Sequence, residues 1–356
     1  MLCLMRDRSA RSSLVNRRGD DLPDVLQQWA KALWDASEVV AAHKRAELLA
    51  RAVDKVDASV RLQLVPVPET TCLLGDMLVD FGEHIWKARV VKKRSAGAAE
   101  AEGAADAGGE GGEGGEGGEG VGEEEAAARL ALWHCRRALH AGYGEAMRVR
   151  GHDISILCGL ADALLDCGRL QREMLARGVD LTLAQPEAMA AGASLCAAAS
   201  SLPPQPPPSA PPPMPPPPPP AQAAAEVVPV EDLVEAVDQM QVDASMQLVT
   251  ELPEPPVSLP PLPSAVECLE RAVSLYAQVL EGSAAEWATA RVTRLDTVYN
   301  AACACALRGG REEDCAKLLD ALAAEGALRR AEVEGDVDLA PLVPTAWMQS
   351  LLSGLP

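Results

Sequence analysis

The sequence predicts an all-α fold of helical hairpins, interrupted by low-complexity segments. Three observations predict it. Residues 72–82, CLLGDMLVDFG, and 158–168, CGLADALLDCG, agree at six of eleven positions, and a looser third copy, NAACACALRGG, ends at Gly310. A short helix that recurs with a small residue at one fixed place marks stacked units, none of which buries its apolar face alone. The apolar share comes from Ala and Leu, with one Phe and three Tyr in 356 residues, a composition suited to closely approaching helices rather than a sheet. Apolar residues also recur at helical spacing, beginning with Val25, Trp29 and Leu33.

Residues 1–20 form a basic tail whose five Arg, three Ser and single Asp through residue 19 weakly resemble an organelle transit peptide. A non-cleaved tail is the alternative. Leu22-Pro23-Asp24 opens the first helix, with Pro in the first turn and Asp at the positive dipole end. Its apolar stripe continues through Val53 and Val56 to about Val60, and Pro66 and Pro68 break the chain before the first repeat copy.

Residues 95–122 are largely Gly, Ala and Glu, have almost nothing to bury, and are expected to be a disordered acidic loop inside a helical region spanning 21–200. Helical pattern resumes at Glu123, with acids at its start and Arg136 and Arg137 near its end. A Pro-rich and acidic linker follows at 201–262. Residues 203–220 hold fourteen prolines in eighteen positions and are expected to form a polyproline II rod, with a weak helix at 230–240 beyond it. Helices over 264–281, 284–307 and 312–325 are expected in the closing segment, 263–356.

Numbering each unit so that its closing Gly is position 15 places Gly82, Gly168 and Gly310 there, where a glycine ends a helix most readily. Position 8 is then small each time, Gly75, Ala161 and Cys303, as expected where a neighbouring helix comes closest. Positions 4, 7, 8 and 11 share one face. Candidate second helices carry Ala131-x3-Cys135-x2-Ala138, Ala265-x3-Leu269-x2-Ala272 and Cys315-x3-Leu319-x2-Leu322.

In these residues the chain resembles the tetratricopeptide-repeat superfamily. The segment YNAACACALRGGREEDCAKLLDALAAEG, followed by DVDLAPLVPTAWMQSLL, is similar to the last repeat and cap of plant and algal members. The resemblance implies a right-handed solenoid of helical hairpins that binds other proteins. The regular period is lost, since the Gly/Glu loop falls inside the first unit and the Pro-rich segment separates the last repeat from the others.

The resemblance also implies that positions 2, 5, 9, 12 and 13 line a concave groove. Here these positions include Cys72, Asp76 and Asp80; Cys158, Asp162 and Asp166; and Asn300, Ala304, Leu307 and Arg308. Members that grip chaperone C-terminal carboxylates use Lys and Asn in such places. Asp76 and Asp162 would repel that ligand and favour a basic peptide or protein surface. Ordinary solvated charge is the competing reading of the four aspartates.

The formal charge is −20, unevenly spread. Residues 1–94 carry 16 Lys/Arg against 13 Asp/Glu, residues 95–130 one Arg against ten acids, and 221–262 eight acids and no base. Such a field repels nucleic acid. The compact basic run KARVVKKR at 87–94 leads into the acidic stretch and is read as a solvated helix end or an internal partner of those acids. The ten cysteines contain no CxxC pair and fall where a helix wants a small apolar residue, which fits reduced thiols in an intracellular protein. The cytoplasm is the expected compartment, with a plastid or other organelle as the alternative. No run reaches the roughly 18 apolar residues needed to span a membrane.

Nothing here spells an enzyme, a cofactor or a metal site. Asp162 and Asp166 lie one helical turn apart, but no His, Ser or Arg recurs beside them. Cys303 and Cys305 point to nearly opposite helix faces, and His134 and His140 point apart and are read as surface histidines. There is no Walker loop, GxGxxG or GxSxG. The expected function is a non-enzymatic adaptor or assembly scaffold that takes a basic partner in an acidic groove. The alternative is an acidic chaperone for a highly basic client, such as a histone or ribosomal protein, acting through the Gly/Glu loop. The proline run at 203–220 is either a ligand for polyproline-binding domains or a spacer.

Overall fold

The computed structural model describes residues 22–104, 119–151, 153–181, 259–290 and 292–356, and among these the fold is all-α. The basic tail at 1–20, the proline run at 203–220 and the weak helix expected at 230–240 lie outside them.

The first expected helix is two, α1 (Leu22–Val39) and α2 (Ala42–Leu62). Ala41 is extended (φ −62°, ψ 148°), and the break folds α2 back along α1, so that Ser59 Oγ donates to the Pro23 carbonyl at 2.6 Å. No proline or glycine marks this break in the sequence. Helix α3 (Pro68–Ala104) starts on Pro68, whose missing N–H is no loss at the first helical position. It continues ten residues into the stretch expected to be loop, and α4 (Glu119–Arg137) begins within that stretch. Ala and Glu are strong helix formers, so a helix already nucleated on a packed core propagates through them. A π-helical turn, Ala138–Gly144, joins α4 to α5 (Glu145–Arg150). The Asp153 side chain then caps α6 (Ile154–Ala176) by accepting from Ser155 N at 2.9 Å.

In the closing segment, Ser264 and Ser283 start α7 (Ala265–Leu280) and α8 (Ala284–Thr289) with reciprocal capping boxes to Glu267 and Glu286. The helix expected over 284–307 is interrupted: Ala290 is extended and Thr293 caps a new helix, α9 (Arg294–Arg308). Helices α10 (Glu312–Ala324), α11 (Arg330–Gly335) and α12 (Ala346–Gly354) follow.

Three helix pairs carry the repeat: α3 with α4, α6 with α7, and α9 with α10. Helix α3 also packs on α6, and α7 on α9. From Pro23 onward the described residues belong to one compact unit. Along α6 and α7 the partners run in opposite order. Leu157 and Cys158 cluster with Val279, Asp162 meets Tyr276, Gly168 faces Leu269, and Gln171 Nε2 donates to the Pro263 carbonyl at 3.0 Å. These two helices are therefore the arms of one antiparallel hairpin. In chain order the Pro-rich segment therefore falls between the two arms of the second hairpin, not between the last repeat and the others.

The closing glycines also differ from expectation. Gly82 and Gly168 lie within α3 and α6 and end nothing. A Cβ on Gly82 would stand 2.9 Å from the Ala131 carbonyl oxygen, and one on Gly168 would stand 2.8 Å from Leu269 Cγ. Their absent side chains let the two arms of each hairpin touch. In the third copy alone the chain does turn there, with Gly309 and Gly310 at φ 70° and 68° just past α9. The small residue at position 8 behaves as expected in the first unit, where a Cβ on Gly142 would lie 2.7 Å from Gly75 Cα.

Candidate functional site

All three tyrosines of the chain donate their hydroxyls to aspartates. Tyr143 of the π turn donates to Asp76 on α3. Tyr276 of α7 donates to Asp162 on α6 at 2.5 Å, and Tyr299 of α9 donates to Asp336 at 2.7 Å. In the first two units the acceptor is the position-9 aspartate and the donor comes from the second arm of the same hairpin. Counted from the aligned residues Ala138 and Ala272, Tyr143 lies five residues on and Tyr276 four. The π turn absorbs this extra residue, which restores Tyr143 to the face that Tyr276 occupies in an ordinary α-helix. The Tyr143 ring is held between α3 and α6: a Cβ on Gly75 would lie 2.6 Å from its Cε2, and one on Gly159 would lie 2.7 Å from its Cε1.

Asp162 also accepts from Asn300 Nδ2 at 2.9 Å, which ties α6 to α9. Asp166, one turn on, pairs with Arg169 at 2.6 Å. Arg169 crosses to Asp338, beyond α11, with Nε 2.9 Å from Oδ2 and a further bond through the second guanidinium arm. The Asp338 side chain is 5 % exposed, so this guanidinium is what balances a buried carboxylate. Cys303 Sγ, Asp336 and Asp338 place their ligand atoms within 4.8 Å of one another, a grouping able to hold a cation. Arg169 and Tyr299 already satisfy both carboxylates, and a metal there would compete with them.

Of the residues predicted to line a groove, Asp76, Asp162, Asp166 and Asn300 come together. Cys72 is half-buried beside Tyr143. Cys158 departs from the expectation: it is 1 % exposed, clusters with Val279 and lies 3.7 Å from Thr297 Oγ1, out of reach of a ligand in a groove. Asp80 turns the other way, accepting from Trp34 Nε1 at 2.8 Å and Arg45 at 2.9 Å, and so fastens α1 and α2 to α3. Arg308 pairs with Glu270 at 2.5 Å, and Arg311 shares that glutamate at 2.8 Å. Neither Asp80 nor Arg308 joins the central cluster. His134 is not at the surface. It is 5 % exposed, and its ring centroid lies 4.7 Å from that of Phe81.

The central carboxylates are uneasy as anions. Burial, helped by the Asp162 charge and resisted by the Tyr143 hydroxyl, pushes Asp76 up to about 6. Burial pushes Asp166 to about 7, with Glu83, Asp162 and Asp338 adding to it and Arg169 opposing. Water tempers that shift, since the Asp166 side chain remains 39 % exposed. Asp162 is raised too, mainly by burial, while its tyrosine and asparagine donors hold it down. Burial also raises the thiols, Cys158 and Cys305 to about 11 and Cys268 and Cys315 to about 12, which makes them poor nucleophiles.

Two opposing groups set the pH profile of stability. A carboxyl raised in the folded state stabilises by binding a proton there; that contribution is fully present below about pH 4 and is lost as pH rises to the folded value, about 6 for Asp76 and about 7 for Asp166. His134, lowered to about 4 mainly by burial, stabilises above the ordinary histidine range, and that contribution is lost as pH falls below about 6.5. Two raised carboxyls outweigh one lowered histidine, so stability to urea should fall between about pH 4 and pH 7 and level off above it. The Asp76→Asn/Asp166→Asn variant should lose most of that fall. An unchanged fall in that variant would contradict the assignment.

Comparison of the chain with models of known families, with curated proteins and with solved structures returned no match. No helix among the described residues is long and apolar enough to cross a membrane.

Proposed function

We propose that the chain is a non-enzymatic scaffold of tetratricopeptide-like hairpins whose first helices present a shared carboxylate face to a basic peptide or protein surface. One observation carries this reading. The Asp162 charge raises the proton affinity of both Asp76 on α3 and Asp166 on α6, and the Glu83 charge adds to that of Asp166. Arg169 pairs with Asp166 and Lys87 with Glu83, each at 2.6 Å. Asp166 and Glu83 keep 39 % and 37 % of their side chains exposed, so a Lys or Arg from outside can reach the cluster. Such a cation would relieve the like-charge crowding, at a site where water screens less than at an open surface.

The discriminating experiment compares retention of the protein on an immobilised Lys/Arg-rich peptide. The full chain should be retained, the Asp76→Asn/Asp166→Asn variant should pass through, and a chain lacking 105–118 should still be held. Retention lost only in that deletion would shift binding to the Gly/Glu stretch and overturn the groove reading in favour of an acidic chaperone. Equal retention of all three would also overturn it.

A further inference from the structure

The two arms of the α6–α7 hairpin are far apart in sequence, joined through residues 182–258. The interface is built along the whole of α6. At its N-terminal end a Cβ on Gly282 would lie 2.6 Å from Ile154 Cδ1, which marks a close approach of the α7 C-terminus. In the middle, Asp162 accepts from Tyr276 and Asn300. Toward the C-terminus, Gly168 receives Leu269, and the buried Gln171 side chain donates to Pro263.

Around this line residues 119–181 and 259–356 are bonded at further points. Arg169 reaches Asp338, Arg172 donates to the Leu307 carbonyl, Arg136 Nε donates to the Pro260 carbonyl at 2.5 Å, and Cys158 meets Thr297. The apolar core is continuous across the join, with Leu164, Leu165 and Met174 clustered with Leu269, Ala272 and Tyr276. Polar and apolar complementarity on this scale is what a protein–protein interface uses. The residues that supply these contacts come from two chain segments, 119–181 and 259–356.

We propose that the face of α6 is a docking surface for residues 259–356 that works between chains as well as within one, so that two copies of the protein can exchange their C-terminal segments. Within one chain the connection keeps the segment at high effective concentration, so the closed form dominates in dilute solution. At high concentration, or after refolding from denaturant, the same contacts form between copies, because exchange creates no interface that the closed chain lacks. This inference does not depend on the partner chemistry proposed above.

The test uses the full chain with a specific protease site inserted between Pro220 and Ala221. One preparation carries an N-terminal affinity tag and a second carries a fluorescent label at its C-terminus. Both are cut, mixed in equal amounts, unfolded in urea, refolded and captured on the tag. The labelled C-terminal piece should be recovered, approaching half of the C-terminal pieces held on the tag, and the helical signal of the cut protein should match that of the uncut chain. Asp162→Ala should weaken the pair by about tenfold or more, since it removes the acceptor of the buried Tyr276 hydroxyl and of the half-buried Asn300 amide. Failure of the label to transfer, loss of the C-terminal piece from the tag, or loss of helix on cutting would each overturn the proposal.

Discussion

Gly75→Ala should destabilise the protein by about 2 kcal/mol, although alanine is the better helix former by about 0.5–1 kcal/mol. The new methyl would stand 2.6 Å from the Tyr143 ring, and that ring cannot retreat, because Gly159 on α6 backs its other edge. Its hydroxyl is also anchored on Asp76, so tilting the ring away would break that bond. The substitution must push α3 from the π turn or expel the tyrosine, and either course opens the contact between the first and second units. Urea unfolding reads the loss. In a Tyr143→Ala background the same Gly75→Ala change should cost little, and that non-additivity separates a steric clash from a general effect on the helix. Additive costs would contradict the clamp.

Arg169→Ala carries the second large effect, about 2–3 kcal/mol. Removing one member of a buried ion pair typically costs about 3–5 kcal/mol by leaving the other charge uncompensated. Arg169 is 35 % exposed, so water recovers part of that cost, but Asp338 at 5 % is not reachable in the same way. Helix α6 would lose its tie to the segment after α11, and Asp166 would lose the cation that opposes its protonation. Combining Arg169→Ala with Asp338→Ala should restore part of the stability, because no charge is then stranded. A double variant as unstable as the sum of the two singles would show that the guanidinium acts through packing alone.

How much of this was legible depends on which interactions are local. The repeat copies were readable because position 8 must be small where helices touch, and Gly75 against Gly142 bears that out. Position 15 misled, because a glycine can end a helix or admit a neighbour, and sequence alone does not separate the two. Gly82 and Gly168 are admitted neighbours, and only the Gly309-Gly310 pair turns the chain. Ser264 with Glu267 and Ser283 with Glu286 are local capping signals that sequence could have set as boundaries. Asp76 and Asp162 were singled out, but their tyrosine partners were not. The available signal was the rarity of tyrosine in the chain, which makes each one worth pairing with an acid. The α1–α2 break leaves no mark in residue type, and neither the Arg169–Asp338 bridge nor the π turn follows from any local pattern.

The central claim is that the carboxylate face of α3 and α6 is open to a cation from another molecule. Calorimetric titration with a Lys/Arg-rich peptide at pH 6.5, repeated in buffers of different ionisation enthalpy, tests it most directly. Binding should release protons, because a docked cation lowers the raised proton affinity of Asp76 and Asp166. The release should disappear in Asp76→Asn/Asp166→Asn, together with most of the affinity. Binding without proton release, or equal binding by that variant, would contradict the claim and leave these aspartates as internal fasteners of the hairpins.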